Sequence, residues 1–375
     1  MKFVHIADLH LGKVIHQYSL LDIQKELLDE LLEYMDSNDL RVLVIAGDVY
    51  DRLIPSQEAV NVLDDFLSHA ILKYRIQVLM ISGNHDSSDR MHFASSLLSD
   101  AGLHIETYLK ENISYVDIKD VRFYLLPFIK PTQVKNLYQL DEVKNYQEAM
   151  QLYMSHQNID SSKKNVLITH QFIGHHSLTS ESELPLSVGG SEIIEASLFD
   201  DFDYVALGHL HASQKVSRET IRYSGSLMRY SFDEVKQKKS IVIVDTNDMS
   251  IEHYELHPRL NLEKYQGTFQ QFMDPSFIKK KDDFLAFELE DTSIIPHAID
   301  QLRVIYPHLL QMTYSYMTKK QEQVTAHSIQ GIEAIDTQSL YAKFYKEVKN
   351  QDLNETQQQI VNHLLEKVGD TNENS

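Results

Sequence analysis

The stretch VLMISGNHDSSDR, residues 78–90, is an apolar run that breaks abruptly into Gly83, Asn84, His85 and Asp86. A turn accounts for the glycine, the amide and the carboxylate, because Gly and Asn tolerate positive φ and short polar side chains cap backbone donors. A turn does not account for the imidazole between them. One strand that ends in this way proves little, so the informative question is whether other strands of the chain end alike.

Four further apolar runs end in side chains of the same chemical types. KFVHIADLHLG ends in Asp8 and His10, RVLVIAGDVYD in Asp48 and Asp51, NVLITHQF in His170, and FDYVALGHLHASQ in His209 and His211. Short continuous apolar runs are typical of strands that are buried on both faces. Because ligands of α/β sheets gather at the carboxyl ends of the strands, these strand ends are predicted to converge in space.

Composition narrows the class of protein. The chain has 375 residues, of which 42% are hydrophobic, which is enough for one large domain with an appendage or for a few small ones. It contains no Cys, which excludes disulfides, thiolate ligands and a cysteine nucleophile and fits a cytoplasmic protein. The amino terminus is strand-like rather than a signal peptide, and no apolar run approaches the roughly 18 residues of a membrane span, so no membrane association is predicted.

The formal net charge is −20, from 35 Lys and Arg against 55 Asp and Glu. Lys and Arg supply the affinity of proteins for nucleic-acid phosphates, so this balance counts against a broad phosphate-binding surface. A bound metal ion would reverse the sign locally, and a partner subunit could supply a basic surface.

The spacing of apolar residues predicts the elements between the strand ends. Helices are predicted over residues 20–39, with Ser19 as N-cap, and over residues 56–73, 87–101 and 141–156. The stretch NISYVDIKDVRFYLLPFI is predicted to form a hairpin that turns at Lys119 and Asp120. The alternation of strands and helices along the amino-terminal part predicts a βαβ layout.

The pattern changes near Arg259. Residues 1–260 are predicted to form the domain that carries the ligand-bearing strand ends, and residues 265–317 a small second domain of strand, helix and strand. A polar linker is predicted over residues 318–337 and a C-terminal helical segment over residues 338–375. The apolar stripe of that last segment can either fold back on the protein or bind another protein.

The strand ends supply a mixed set of nitrogen and oxygen donors, namely Asp8, His10, Asp48, Asn84, His170, His209 and His211. Such a mixture favours a borderline divalent ion such as Mn, Fe or Zn, because Mg and Ca prefer purely oxygen ligands. The set is too large for one ion and suits two ions that share a carboxylate, for which Asp48 is the predicted bridge. Two ions about 3.5–4 Å apart can activate water and clamp the attacking and leaving oxygens of an in-line displacement at phosphorus.

The spacing of the ligands predicts how they divide. Asp8 and His10 lie two residues apart, as do His209 and His211, so each pair can project to the same side of an extended segment. One ion is predicted to bind Asp8, His10 and His211, and the other Asn84, His170 and His209.

The motifs DLHLG, GDVYD, GNHD, a His after a strand and GHLH occur in this order over residues 8–211. As an ordered series they resemble the calcineurin-like metallophosphoesterase family. The longer stretches FVHIADLHLGK, LVIAGDVYDRLIPS and GSLMRYSFDE resemble, more narrowly, the SbcD family of bacterial nuclease subunits, which are relatives of archaeal and eukaryotic nucleases of DNA double-strand-break repair. The resemblance covers the domain of residues 1–260 well and continues more loosely to the C-terminal helices.

This resemblance implies a fold of the α/β (α+β) class: a two-sheet β-sandwich flanked by helices, with a small α/β capping domain and a C-terminal helical tail. It implies two divalent ions, with Mn favoured, and an exonuclease and endonuclease that hydrolyses phosphodiesters at double-stranded DNA ends and hairpins in repair, recombination and replication. It also implies an SbcC-type coiled-coil ATPase, held by the C-terminal helices. Helices near residues 56–70 and 87–100 would pair two nuclease subunits within a heterotetramer, and the expected location is the cytoplasm, at the nucleoid.

The resemblance also implies roles for residues that bind no metal. His85 would stabilise the transition state or protonate the leaving oxygen, and Asp86 would orient the His85 ring. Some relatives have His at the position of Asp51, which faces the substrate there. Independently of the resemblance, Arg52 beside a motif and Ser224 in YSGS are candidate substrate contacts. A structural histidine is the competing explanation for His85, and turn-capping polar residues are the competing explanation for the ligand set as a whole.

Two other functions compete with the nuclease. A phosphoesterase of small phosphate esters or phosphoproteins would use the same metal ligands, but it needs neither a capping domain nor a long helical tail. A non-catalytic DNA-end scaffold could bind structural metals, but it has no use for an open site with two metals.

Overall fold

A computed structural model of the protein describes residues 1–174, 177–183 and 192–316, and beyond these only residues 345, 351, 353–354, 357–358 and 361. It divides into two compact units. The first comprises Met1–Tyr265, Pro275–Ala286 and Ile299–Gln311, and the second comprises Gln266–Asp274, Phe287–Ala298 and the described residues from Met312 onward.

The strands of the described residues, in chain order, are β1 (Lys2–Ile6), β2 (Val14–Ile15), β3 (Tyr18–Ser19), β4 (Val42–Ala46), β5 (Gln77–Ile81), β6 (Leu103–Glu106), β7 (Ser114–Ile118), β8 (Val121–Leu126), β9 (Lys164–His170), β10 (Tyr204–Gly208), β11 (Gln214–Val216), β12 (Arg218–Tyr223), β13 (Ser240–Asp245), β14 (Ser250–Glu255), β15 (Leu262–Gly267), β16 (Phe284–Leu289) and β17 (Leu309–Tyr314). The α-helices are α1 (Leu21–Ser37), α2 (Gln57–Ser68), α3 (Ser88–His92), α4 (Ser95–Ser99), α5 (Pro131–Leu137), α6 (Tyr146–Ser155), α7 (Phe269–Phe272) and α8 (Ala298–Arg303).

Two six-stranded sheets dominate the first unit. One has the order β14-β13-β1-β4-β5-β6, in which β1, β4, β5 and β6 run parallel, and the other has the order β11-β12-β10-β9-β8-β7, in which β12, β10, β9 and β8 run parallel. The outer strands β13, β14, β7 and β11 are antiparallel to their neighbours. The predicted βαβ layout and the two-sheet sandwich are therefore confirmed.

The two sheets pack face to face through large apolar side chains. Phe3 of β1 lies edge-on to Phe123 of β8 and to Tyr204 of β10, with ring centroids 5.3 and 5.6 Å apart. Every residue of β4 is buried, which explains why its sequence is a continuous apolar run rather than an alternating one. Each such side chain contributes about 1.5–3 kcal/mol on burial, so the sandwich core holds the strand ends in place. Helices α1 and α2 cover the outer face of the first sheet, and α5 and α6 cover that of the second.

Most predicted elements have their expected places. Helix α2 begins behind Ser56, whose hydroxyl accepts the amide hydrogen of Ala59 at 3.2 Å, and a π-helical turn, His69–Lys73, continues to the predicted end. Helix α6 begins at Tyr146, later than predicted, because Asn145 caps it by accepting from the amide of Glu148 at 2.9 Å. Strands β7 and β8 form the predicted hairpin, with Lys119 at φ 57° in its turn.

Two predictions about helices are wrong. The helix expected over residues 87–101 is broken into α3 and α4, because Phe93 is extended and Ala94 has φ 60°, which interrupts the helical hydrogen bonds. Ser19 is not the N-cap of α1: Leu20 holds that position, and the Ser19 hydroxyl accepts only from the amide of Leu21 at 3.3 Å.

The predicted small domain of strand, helix and strand corresponds to β16, α8 and β17, to which β15 is added in a three-stranded sheet of order β15-β16-β17. In the second unit, the ring of Phe272 stacks on that of Phe287 with centroids 4.0 Å apart. The domain limits 1–260 and 265–317 stay predictions. The predicted linker, residues 318–337, and nearly all of the predicted tail, residues 338–375, lie outside the described residues. No helix among the described residues is both long enough and apolar enough to span a bilayer.

Candidate metal centre

The predicted ligands leave their strands with unusual backbone conformations. Asp8, His10, Asp48 and His209 have φ values of 54°, 43°, 50° and 107° respectively. Left-handed φ values cost a non-glycine residue roughly 1–2 kcal/mol, and such strain persists only where the surrounding structure enforces it. Four of the seven predicted ligands therefore have strained backbones, as do several turn residues elsewhere among the described residues.

One group of side chains consists of Asp8, His10 and His211, each of which offers a ligand atom within 4.8 Å of the others. The Nε2 atoms of His10 and His211 face each other at 3.1 Å. Two neutral rings at this distance can share only one proton, whereas a cation accepts both lone pairs. The donor set thus fits a metal ion.

A second group consists of Asn84, His170 and His209. The Oδ1 atom of Asn84 lies 2.9 Å from Nε2 of His170 and 3.3 Å from Nδ1 of His209. Asp48 lies between the two groups: its Oδ2 atom is 3.4 Å from Nε2 of His170 and 3.7 Å from Nε2 of His10. The structure therefore brings all seven predicted ligands together and places the carboxylate predicted as the bridge within reach of both groups.

Backbone contacts aim the ligands. His170 donates from Nδ1 to the carbonyl oxygen of Ala46 at 2.8 Å, which leaves Nε2 facing Asp48 and Asn84. Asp8 accepts from the amide of His209 at 3.0 Å, and Asp48 accepts from the amide of His85 at 2.8 Å. Such partners hold the tautomer and orientation of metal ligands.

Glycines are sterically required where these loops meet. A Cβ atom on Gly208 would lie 1.9 Å from the carbonyl oxygen of Ala46, and one on Gly83 would lie 2.1 Å from Oδ1 of Asp48. Gly208 of the GHLH motif lets the strand ends of the two sheets approach closely, and Gly83 of the GNHD motif lets the loops after the neighbouring strands β4 and β5 do so.

The buried ionisable groups compensate one another. Burial would raise the pKa of Asp48, but His170 and His10 hold it well below its usual range. Burial would lower the pKa of His170, but Asp48 and Asp8 raise it to about 9. Burial lowers the pKa of His209 to about 3 and also lowers that of His10 and His211, so these three rings are neutral near pH 7, as metal ligands must be.

The predicted role of Asp86 as the orienter of His85 is wrong. The Asp86 carboxylate accepts from the backbone amides of Gly83, Val49 and Tyr50 at 2.9–3.1 Å, so both of its oxygens are used to shape the loops. His85 instead donates from Nδ1 to the carbonyl oxygen of Asp51 at 3.0 Å, and its Nε2 lies 3.8 Å from Oδ2 of Asp48.

The three residues predicted to contact substrate differ in their surroundings. The Asp51 carboxylate lies 3.0 Å from Nζ of Lys13 and 3.8 Å from Nδ1 of His10, while the side chain of Arg52 is 74% exposed. Ser224 is buried, and its hydroxyl donates to the carbonyl oxygen of Gly225 at 3.3 Å. A contact of any of the three with substrate stays a prediction.

The sequence analysis missed a group of polar residues behind His211. Glu234 and Lys239 are buried beside this ring, and Glu183 accepts from the His211 amide at 2.7 Å. The stretch GSLMRYSFDE, which contains Glu234, carries the family resemblance, but no role was predicted for Glu234, because its spacing from the predicted ligands is not distinctive.

Comparisons with known proteins agree with this geometry. The family model of the calcineurin-like phosphoesterases matches residues 1–213, and a model described as the type 5 capsule protein repressor C-terminal domain matches residues 258–349. The SbcD subunit of the nuclease SbcCD of Staphylococcus epidermidis is 33% identical over 371 residues, which are 97% of this chain and 98% of that protein.

Solved structures show only a distant similarity. A protein of Thermus thermophilus aligns with TM-score 0.40 and 10% identity over 68% of this chain and 98% of its own. A dimetal phosphatase from Danio rerio aligns with TM-score 0.37 and 11% identity over 70% of this chain and 97% of its own. At these TM-scores the alignments add nothing to the match of the family model and of the full-length relative.

Proposed function

Because the chain belongs to the calcineurin-like phosphoesterases and, within them, to the SbcD nuclease subunits, it is a phosphodiester hydrolase, and we propose that it cleaves double-stranded DNA ends and hairpins with two Mn ions. In this proposal it acts at the nucleoid, in the cytoplasm, together with an SbcC-type ATPase. The cluster of His and Asp side chains suits a dinuclear metal site. The identity of the metal as Mn and the choice of DNA ends and hairpins as substrate are what we propose.

The observation that carries the proposal is the position of Asp48 between two sets of ligands. Asp8, His10 and His211 would hold one ion, Asn84, His170 and His209 the other, and Asp48 both. When bound, such a pair supplies an activated water and neutralises charge on the attacking and leaving oxygens. Mixed imidazole and oxygen donors support Mn over Mg.

His85 is proposed as the group that protonates the leaving oxygen. A carbonyl oxygen can only accept a hydrogen bond, so the contact with Asp51 fixes the proton of a neutral ring on Nδ1. The Nε2 atom then faces the ligand cluster and can take up a proton and deliver it to the alkoxide that departs. The His85 side chain is only 9% exposed, so this nitrogen is directed into the site rather than into bulk solvent.

Cleavage of end-labelled duplex DNA in Mn, compared with cleavage of a chromogenic phosphodiester and of a small phosphomonoester, tests the function. The expected result is Mn-dependent degradation of the duplex that is lost in Asp48→Asn. A protein that hydrolysed the small monoester but left duplex ends intact would contradict the nuclease and favour the small-substrate phosphoesterase.

We also propose that two copies pair through α2, α3 and α4. These helices line an apolar cavity of about 680 Å³. Phe93 lines it and is 82% exposed, and Leu97, next in the chain to the lining residue Leu98, is 80% exposed. A surface that carries both an apolar cavity and exposed apolar side chains can be self-complementary about a two-fold axis.

Phe93→Asp with Leu97→Asp should yield monomers by light scattering, whereas Leu178→Asp, at another exposed apolar position, should not. Dimers that persist in the double variant would contradict this interface.

The partner ATPase is proposed from the family alone, because nearly all of the predicted tail lies outside the described residues. A basic surface on that partner would explain how a chain of net charge −20 engages DNA. Deleting residues from about 336 onward should abolish co-purification with an SbcC-type ATPase but preserve cleavage of a chromogenic diester. Retained co-purification would contradict the role of the tail.

A further inference from the structure

His211 is held on the side of its ring that faces away from the other ligands. Its Nδ1 atom lies 2.6 Å from the hydroxyl oxygen of Ser182 and 3.2 Å from Oε1 of Glu234. The Ser182 hydroxyl also contacts Oε1 of Glu234. The serine therefore accepts from the ring and donates to the carboxylate, and all three groups bond in one consistent direction.

This arrangement determines which nitrogen of His211 is free. With the proton on Nδ1, the lone pair of Nε2 points toward Nε2 of His10, 3.1 Å away, where the first set of ligands converges. A carboxylate or hydroxyl behind a ligating imidazole fixes its tautomer and increases its basicity. Glu234 therefore acts on the ligand ring without touching the ion position.

A buried cation fixes the carboxylate in turn. The Lys239 ammonium lies 2.7 Å from Oε2 of Glu234 and donates at 2.8 Å to the carbonyl oxygen of His211 and to the hydroxyl of Ser226. Lys239 thus contacts the backbone of His211, and Glu234 contacts the ring of the same residue. Glu234 is therefore held from both sides, by the Lys239 ammonium at Oε2 and by the Ser182 hydroxyl at Oε1, while it is itself buried.

We propose that Glu234 and Lys239 are a positioning pair that sets the tautomer of His211 and so controls affinity for one of the two ions, that of Asp8, His10 and His211. The proposal rests on the proposed function, because it presumes the two-ion site. It goes beyond that function by assigning separate control of the two ions. The second set is held differently, since His170 is oriented by the carbonyl oxygen of Ala46 rather than by an acidic side chain.

Titration of the protein with Mn, followed by calorimetry and by electron paramagnetic resonance, tests this selectivity. In Glu234→Ala, one of two binding events should weaken by about 10–100-fold, the range found when such supporting partners are removed, while the other stays within twofold. The spin-coupled signal of a pair of Mn ions should be replaced at limiting metal by that of a single ion. Equal weakening of both events, or of neither, would overturn the proposal.

The conservative variant separates positioning from charge. Glu234→Gln keeps an oxygen that can accept from Ser182 or His211, so it should recover a part of the affinity lost in Glu234→Ala. Lys239→Met should weaken the same ion, because it leaves the buried carboxylate without its cation. Lys238→Met, at the adjacent and exposed lysine, is the matched control and should leave both ions unchanged. Equal effects of the two lysine variants would contradict a specific role for Lys239.

Nitrogen-15 chemical shifts of the histidine rings give a readout that needs neither metal nor activity. In the metal-free wild-type protein His211 should carry its proton on Nδ1, and in Glu234→Ala it should show a mixture of tautomers, because the Ser182 hydroxyl can then donate to Nδ1 as well as accept. An unchanged tautomer in a folded Glu234→Ala protein would overturn the positioning role even if the nuclease function holds. A wild-type protein that binds no second Mn would instead overturn the proposed function.

Discussion

The His85 ring presents its two nitrogens to different partners, Nδ1 to the carbonyl oxygen of Asp51 and Nε2 to the carboxylate of Asp48. The neighbouring Asp86 serves the backbone instead, because three amides occupy its oxygens. Adjacent residues of one motif thus have separate surroundings: His85 faces the ligand cluster, and Asp86 shapes the loop.

Replacement of His85 by Gln tests its task. The variant should bind two Mn ions as the wild type does, but its rate of duplex cleavage should fall by about 10²–10⁴-fold, the usual contribution of a general acid. Single-turnover cleavage of labelled duplex at saturating Mn measures the rate. A rate within threefold of wild type would favour a structural role for the ring.

His170 makes metal binding sensitive to pH. Its pKa is raised to about 9 by Asp48 and Asp8 against the effect of burial, so near pH 7.5 the ring is protonated before a metal binds. A metal ligand must be neutral, so binding of Mn should release at least one proton from the site. Affinity should therefore rise as pH increases toward 9. Calorimetry of Mn binding at pH 7.5 in two buffers of different ionisation enthalpy counts the protons, and identical heats in both would contradict the prediction.

Among the elements of the fold, the ends of the strands, rather than the strands themselves, determine how closely the two sheets approach at the site. The strand β10 ends in Gly208, whose missing side chain lets it approach Ala46 at the end of β4, in the opposite sheet. The apolar character of these strands predicted their burial, but the broken helix of α3 and α4 was not predictable, because nothing in the residue types near Phe93 and Ala94 marks an extended and a left-handed conformation.

Gly208→Ala should disrupt this approach. Its Cβ would lie 1.9 Å from a backbone oxygen and 2.7 Å from Nδ1 of His170, so the two strand ends must separate. Overpacking of this kind costs about 1–3 kcal/mol in the free energy of unfolding, and the displaced His170 should weaken Mn binding. Urea denaturation and Mn titration measure the two effects.

Gly267→Ala is the matched control for that substitution. The nearest atom to its added Cβ is the side-chain oxygen of Gln271, 3.0 Å away, rather than a backbone atom, so the loss of stability should be smaller than in Gly208→Ala. Similar losses in both variants would indicate that the effect of Gly208→Ala is not specific to the site.

At the scale of the whole molecule, the ligands come from both sheets. Asp8, His10, Asp48 and Asn84 follow strands of the first sheet, whereas His170, His209 and His211 follow strands of the second. A bound metal pair therefore links the two halves of the sandwich, in addition to the apolar core between them.

Mn should consequently stabilise the folded protein. At a metal concentration of about 100 times Kd, each ion adds about 2.7 kcal/mol to the free energy of unfolding, because it binds the folded state alone. Thermal unfolding in EDTA and in Mn should show a higher Tm in Mn for the wild type and a much smaller rise for Asp48→Asn. An equal rise in both proteins would place the stabilising ions elsewhere.

The types of the predicted ligands, their order and their places at strand ends follow from the sequence alone, because a buried apolar run that ends in His, Asp or Asn is visible in the local residue pattern. The sequence also determined the family, through motifs that span residues 8–211. Only the tertiary structure decided which groups support the ligands. Asp86 follows His85 in the chain yet bonds to backbone amides, while Glu234, 23 residues from His211, contacts its ring, because hydrogen-bond partners are set by the packing of distant loops rather than by adjacency along the chain.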